Sequence, residues 1–179
     1  MSRRSTGFLA SRSLERRVPL RGHLDNQLAS CCIARLLVLA TEDTHKPIVT
    51  YIESSSGFVP EALNVISTMN GIRTPVVTFS RGLVGGPAVV IAAHGKKGFR
   101  TAEPAAQFSL KLETPGKNQD PEPPESYLKL LVQVLVADTA RPESEVLGWL
   151  TRGAVFTAEQ AIEHGLIDAI GRAPIFPKP

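Results

Sequence analysis

Residues 78–97 read TFSRGLVGGPAVVIAAHGKK, and the reading of this stretch decides the fold. The β-branched run that leads into it, with Val76, Val77, Thr78 and Phe79, predicts a strand ending at Ser80. Gly82, a turn, the pair Gly85–Gly86 and Pro87 follow, and the apolar run 88–93 predicts a helix. A strand, a Gly-rich elbow and a helix, in that order, present a nucleophile at a helix N-terminus. There the free backbone N–H groups and the helix dipole stabilise a developing oxyanion. Yet the elbow holds no Ser, Cys or Thr. It is an active-site scaffold without a reactive atom.

Outward from the elbow, strand and helix patterns alternate. Upstream, 17–20 predicts a strand closed by Gly22, and Asp25 caps a helix to about residue 40 with Leu24, Leu28, Cys32, Leu36 and Leu39 as its stripe. The segment 47–52 reads as a buried strand, 53–57 as a Ser-Gly turn, and Pro60 opens a helix that Gly71 ends. Downstream, 98–102 predicts a short strand, and Phe108, Leu110 and Leu112 alternate with Ser109 and Lys111 as a strand with one wet face. The run TPGKNQDPEPP at 114–124 is a solvated loop. Helices follow over 125–139 and from Pro142 through Leu150. Thr157 and Gln160 make a capping box for a helix that stops at Gly165, and LIDAI at 166–170 predicts a last strand. Strands alternating with helices imply right-handed crossovers and a mostly parallel α/β sheet.

Composition excludes several function classes. A chain of 179 residues with 42% apolar and 21% charged residues suits one domain with a proper core, 1–179. No apolar run approaches the length of a bilayer crossing. The net charge of +3 gathers in a basic segment, 1–15, and just beyond it, at Arg3, Arg4, Arg12, Arg16, Arg17 and Arg21. That segment reads either as a basic or frayed terminus or as a targeting sequence. With aromatics at 6% there is no interleaving of rings and basic residues, so nucleic-acid binding is set aside. Cys31 and Cys32 are adjacent and read as reduced, buried small hydrophobes, which points to the cytoplasm. His23, His45, His94 and His164 lack ligand spacing, so no metal is expected, and His94 and His164 read as helix-surface residues. Gly85–Gly86 fits neither phosphate-loop nor dinucleotide spacing. No cofactor is implied.

Three long segments carry a resemblance: RVPLRGHLDNQLASCCIARLLVLATED at 17–43, KPIVTYIESSSGFVPEALNVISTMNGIRTPVVTFSRGL at 46–83, and VFTAEQAIEHGLID at 155–168. Together they resemble ClpP, the proteolytic subunit of the ATP-dependent Clp protease, over about 16–112 and 130–170. The most specific pieces are Lys46-Pro-Ile with Tyr51-Ile, TMNGIRTPVVT and AEQAIEHGLID. The resemblance implies the ClpP/crotonase spiral of ββα units, with a loop and a protruding helical handle over 113–155 that joins two heptameric rings. It places the family's nucleophilic serine at Gly86, its base histidine at Lys111 and its orienting aspartate at Asp168. The two oxyanion-hole N–H groups fall at Gly57 and Pro87.

At those positions chemistry argues against peptidase activity. Glycine forms no acyl-enzyme. Lys111 beside Asp168 makes a salt bridge rather than a base, and Asp168 also reads as an acid that ion-pairs within its own GLID turn. Pro87 has no N–H, and one oxyanion donor is worth ~3 kcal/mol of transition-state stabilisation. The expectation is a catalytically inactive, ring-forming serine-peptidase homologue, heptameric or tetradecameric, with a structural or regulatory role in ATP-dependent proteolysis. Its implied partners are copies of itself, an active ClpP paralogue and an AAA+ unfoldase. For the family's axial loops only a handful of residues precede the first helix, and Tyr51 matches an aromatic of the unfoldase-docking pocket or is a buried strand tyrosine. Two other readings stand beside this one. One is relocated chemistry in which Lys111 pairs with Ser54, Ser55, Ser56 or Ser109. The other is a crotonase-like acyl-thioester binder, which Pro87 disfavours.

Overall fold

The computed structural model describes residues 16–112 and 125–174. In chain order the elements are β1 (Arg17–Arg21), α1 (Asn26–Glu42), β2 (Ile48–Glu53), α2 (Val59–Gly71), β3 (Val76–Ser80), β4 (Leu83–Gly85) and α3 (Pro87–Ala93). There follow β5 (Arg100–Ala102), β6 (Gln107–Ser109), α4 (Glu125–Thr139), α5 (Glu143–Arg152), β7 (Val155–Thr157), α6 (Ala158–Glu163) and β8 (Ala169–Ile170). A five-stranded parallel sheet runs β1-β2-β3-β5-β8, and a smaller sheet runs β4-β6-β7. Within the smaller sheet β4 lies parallel to β6, and β7 closes it antiparallel.

The reasons are local first. Asp25 accepts the Leu28 N–H at 2.8 Å and starts α1, whose buried face is Ala29, Cys32, Leu36, Leu39 and Ala40. All five residues of β3 are buried, as a β-branched run in the middle of a parallel sheet requires. Thr157 and Gln160 form the complete capping box that starts α6. Every residue of α3 is buried, so this short helix is held by packing rather than by propensity.

Five expectations need correction. The strand expected to run through Leu112 is β6, Gln107–Ser109, because the pairing with both β4 and β7 ends at Ser109. Cys31, expected buried, is exposed, because one helical step turns it off the buried face of α1 that holds Cys32. The elbow contains a strand, β4, where a turn was expected; three residues ending in glycine show no periodicity, and the strand exists through its pairing with β6. LIDAI is a strand only at Ala169–Ile170, because Leu166 and Ile167 turn back to hydrogen-bond Ala161. His94 and His164 are not surface side chains. His94 lies between Asp138 (2.7 Å) and Asn70 (3.0 Å), and His164 packs against the rings of Trp149 and Phe156. Segment 1–15, the loop 114–124 and the last five residues of the Pro-rich tail lie outside the described residues.

Candidate active site

The elbow has the geometry of a nucleophile-bearing turn. Gly86 caps α3 at φ 53° and ψ −129°, a conformation that side chains rarely adopt and that glycine holds without cost. Sharp strand-to-helix turns of this kind lift a nucleophile out of the chain at the head of a helix. The Gly86 N–H donates to the Ser109 carbonyl at 2.7 Å, which ties the elbow to β6. A Cβ at Gly86 would find its nearest neighbour, the Lys111 carbonyl oxygen, at 3.4 Å, so there is room for a side chain but none is present. Gly85 is different: a Cβ there would sit 2.2 Å from the Ser55 carbonyl oxygen. The Ser54–Ser56 turn is thus pressed against the elbow, and the Gly85 N–H donates to the Ser54 carbonyl at 2.8 Å.

Gly57 follows the Ser54–Ser56 turn, and Pro87 follows Gly86. Gly57 adopts φ 152°, and a Cβ would lie 2.4 Å from that of Leu24, so only glycine fits. The Leu24 and Phe58 N–H groups bridge the two segments, at 2.9 Å to Ser56 and 3.0 Å to Leu24. Pro87 opens α3 and offers no N–H to the cleft.

Lys111 and Asp168 do not meet as expected. Lys111 is exposed, with its Cβ and Cγ beside Gly153, and makes no ion pair among the described residues. Asp168 is held instead by Arg100, sixty-eight residues away, and not within its own turn. Arg100 donates Nε to Oδ2 at 2.9 Å and Nη2 to Oδ1 at 2.6 Å, and its backbone N–H reaches Oδ2 at 2.9 Å. The remaining guanidinium nitrogen, Nη1, donates to the carbonyls of Ala93 and Asp138, both at 3.0 Å. Burial alone would raise the Asp168 carboxyl, but the Arg100 bonds outweigh it and hold it below the ordinary carboxylate range. Both carboxylate oxygens are therefore committed to one buried guanidinium.

The serines do not pair with Lys111 either. Ser54 is buried and its hydroxyl donates to the Ser56 carbonyl at 3.1 Å. The Ser56 hydroxyl lies 2.8 Å from Nδ1 of His23, whose ring stands edge-on to Phe58. Neither His23 nor Arg100 was singled out by spacing; both act through partners distant in sequence. Elsewhere a depression of about 570 Å³ is lined by Arg17, Pro19, Arg21, Arg35, Tyr51, Glu53 and Arg81, with Tyr51 half-buried against Phe79. No helix among the described residues is long and apolar enough to cross a membrane, and no cluster of His, Cys, Asp and Glu among them could hold a metal ion.

A parallel sheet with helical crossovers, a small second sheet and a glycine elbow at a helix mouth define the ClpP fold. The model of the Clp protease family matches residues 4–174, and the chain belongs to that family. It is 32% identical over 163 residues to the ATP-dependent Clp protease proteolytic subunit of Ligilactobacillus salivarius, covering 87% of this chain and 83% of that one. The corresponding subunit of Dehalococcoides mccartyi is 32% identical over 167 residues, with coverage of 89% and 84%. A chloroplastic relative from Arabidopsis thaliana, the Clp protease proteolytic subunit-related protein 2, is 29% identical over 167 residues and matches 60% of its own length. The crystal structure of the ClpP protease catalytic domain from Plasmodium falciparum superposes with a TM-score of 0.78 at 27% identity, over 92% of this chain and 88% of that one.

Proposed function

We propose that this chain is a ring-building ClpP-type subunit that cleaves no peptide bonds at the family's site and serves ATP-dependent proteolysis in a structural or regulatory role. The observation that carries the reading is Gly86: a sharp strand-to-helix elbow at φ 53° and ψ −129° with no side chain on it. Pro87 removes a donor from the same helix mouth, exposed Lys111 stands where the family has its base, and Asp168 is engaged by Arg100. Three machine parts are replaced and the fourth is engaged elsewhere while the scaffold is kept, which favours selection for assembly over selection for turnover.

The surface supports assembly. Leu83 and Val155 are exposed at the two edges of the small sheet, and Tyr127 and Leu130 are exposed on α4, in the handle region. Large apolar side chains on open strand edges call for a covering partner. Copies of this chain or an active paralogue would supply that cover in seven- or fourteen-membered rings, on which an AAA+ unfoldase would dock. The unpaired Cys31 and Cys32, the latter pushed up to about 12 by burial and the neighbouring thiol, suit a reducing compartment such as the cytoplasm. Native mass measurement of the purified protein tests the reading. The expected particle holds seven or fourteen subunits, alone or mixed with an active paralogue; a stable monomer that takes up no paralogue would refute it.

A further inference from the structure

We infer that Ser56 and His23 form a nucleophile–base pair that accepts small activated acyl or phosphonyl groups, with no part taken by Gly86. The Ser56 hydroxyl lies 2.8 Å from His23 Nδ1, the separation at which imidazole takes a hydroxyl proton as the oxygen attacks. The pair is held in place by its surroundings. The Ser56 carbonyl accepts both the Leu24 N–H at 2.9 Å and the Ser54 hydroxyl at 3.1 Å. The Phe58 ring stands at 88° to the imidazole, 5.0 Å away, and steers it. Gly57, with φ 152° and its tight fit on Leu24, fixes the backbone that follows.

The setting also favours an anion. Ser56 closes the β2-to-α2 connection, and the next N–H, that of Gly57, belongs to the residue after the nucleophile, the position that supplies an oxyanion donor in strand–turn–helix hydrolase sites. Helix α2, thirteen residues long, starts two residues later with no side chain capping its first turn, so its positive end faces the turn. Ser56 is half-buried and His23 exposed, so a small electrophile reaches the oxygen.

In the tautomer with the proton on Nε2, the step balances as follows. The Ser56 oxygen forms a bond to the carbonyl carbon, and its proton passes to Nδ1. The leaving group departs with the bonding electron pair and recovers that proton. Water, activated by the same nitrogen, then hydrolyses the Ser56 acyl ester to the free acid and restores the hydroxyl; at a fluorophosphonate the oxygen bonds to phosphorus, fluoride leaves with the electron pair and the proton, and the phosphonate ester stays on Ser56. This pair does not rebuild a peptidase. Asp25, two residues from His23, has Oδ1 on the Leu28 N–H, and Asp168 is held by Arg100, so no carboxylate orients the imidazole among the described residues. The acyl donors it takes are esters and fluorides, whose leaving groups need little help, rather than amides.

Labelling of the full chain with a fluorophosphonate, read by intact mass and peptide mapping, tests the pair. The expected result is a single adduct on Ser56, absent in Ser56→Ala and formed about 100-fold more slowly in His23→Gln, which keeps a hydrogen bond but cannot take the proton. Circular dichroism and native mass of both variants should match the parent, which separates loss of the pair from loss of the fold. No adduct on the folded parent, an adduct on another serine, or an unchanged rate in His23→Gln would overturn the inference. None of these outcomes depends on whether the particle is a ring.

Discussion

A Gly86→Ser, Pro87→Met, Lys111→His triple variant is expected to cleave a fluorogenic peptide that the parent leaves intact, at a rate about four orders of magnitude below that of a complete triad. Each change repairs one defect. Serine at 86 meets nothing closer than the Lys111 carbonyl at 3.4 Å from its Cβ, so the site has space for it. Its strain at φ 53° costs about 1–3 kcal/mol, the usual load of a nucleophile elbow. Methionine at 87 returns an N–H at the mouth of α3, worth ~3 kcal/mol to the oxyanion. Histidine at 111 supplies a base on the segment whose carbonyl already faces position 86. The ceiling comes from the missing orienting acid: Asp168, to which the resemblance gives that role, has both oxygens on Arg100, and an unoriented histidine loses ~10⁴ in turnover. A triple variant that folds and assembles like the parent yet stays silent would show that the elbow itself has drifted.

Arg100→Met is expected to be the most destabilising single change in the cleft region. Arg100 is 4% exposed and joins β5 to the turn before β8, to the end of α3 and to the end of α4. Its loss leaves the Asp168 carboxylate and two carbonyls without their donor, at a cost of about 3–5 kcal/mol. For a chain of this size that lowers the melting temperature by roughly 10 °C. The pH dependence carries the same signature. The Asp168 carboxyl is held lower in the folded chain than its unfolded value of about 4. Its contribution is therefore complete above pH ~4 and is lost as the pH falls through the folded value. Asp168→Asn should melt below the parent at neutral pH, with the gap closing under acid conditions. Thermal melts from pH 7 down to pH 3 check this, and a gap that stays constant would exclude the assigned pair.

What could be read from the chain, and what could not, divides along contact distance. The stripe of α1, the Asp25 cap, the Thr157–Gln160 box and the elbow glycine are all features of one element or one turn, and the structure contains each of them. The resemblance to ClpP supplied the overall topology. The short strands β4 and β8 were missed or overdrawn because three residues and two residues have no period; their partners define them. The Arg100–Asp168 pair spans sixty-eight positions, and only the parallel register of β5 and β8 brings the two together. His23 and Ser56 are thirty-three apart and meet across the Leu24–Gly57 bridge. The Lys111–Asp168 salt bridge follows from the resemblance, which puts both residues at one site, whereas the Arg100 guanidinium, with its fork geometry, occupies that acid.

On the proposed reading, Gly86 leaves the family's peptidase position without a nucleophile. Steady-state hydrolysis of a fluorogenic peptide by the assembled parent protein, purified free of any active paralogue, is the deciding measurement. No turnover above the buffer blank is expected. Sustained peptide cleavage by that preparation would overturn the reading.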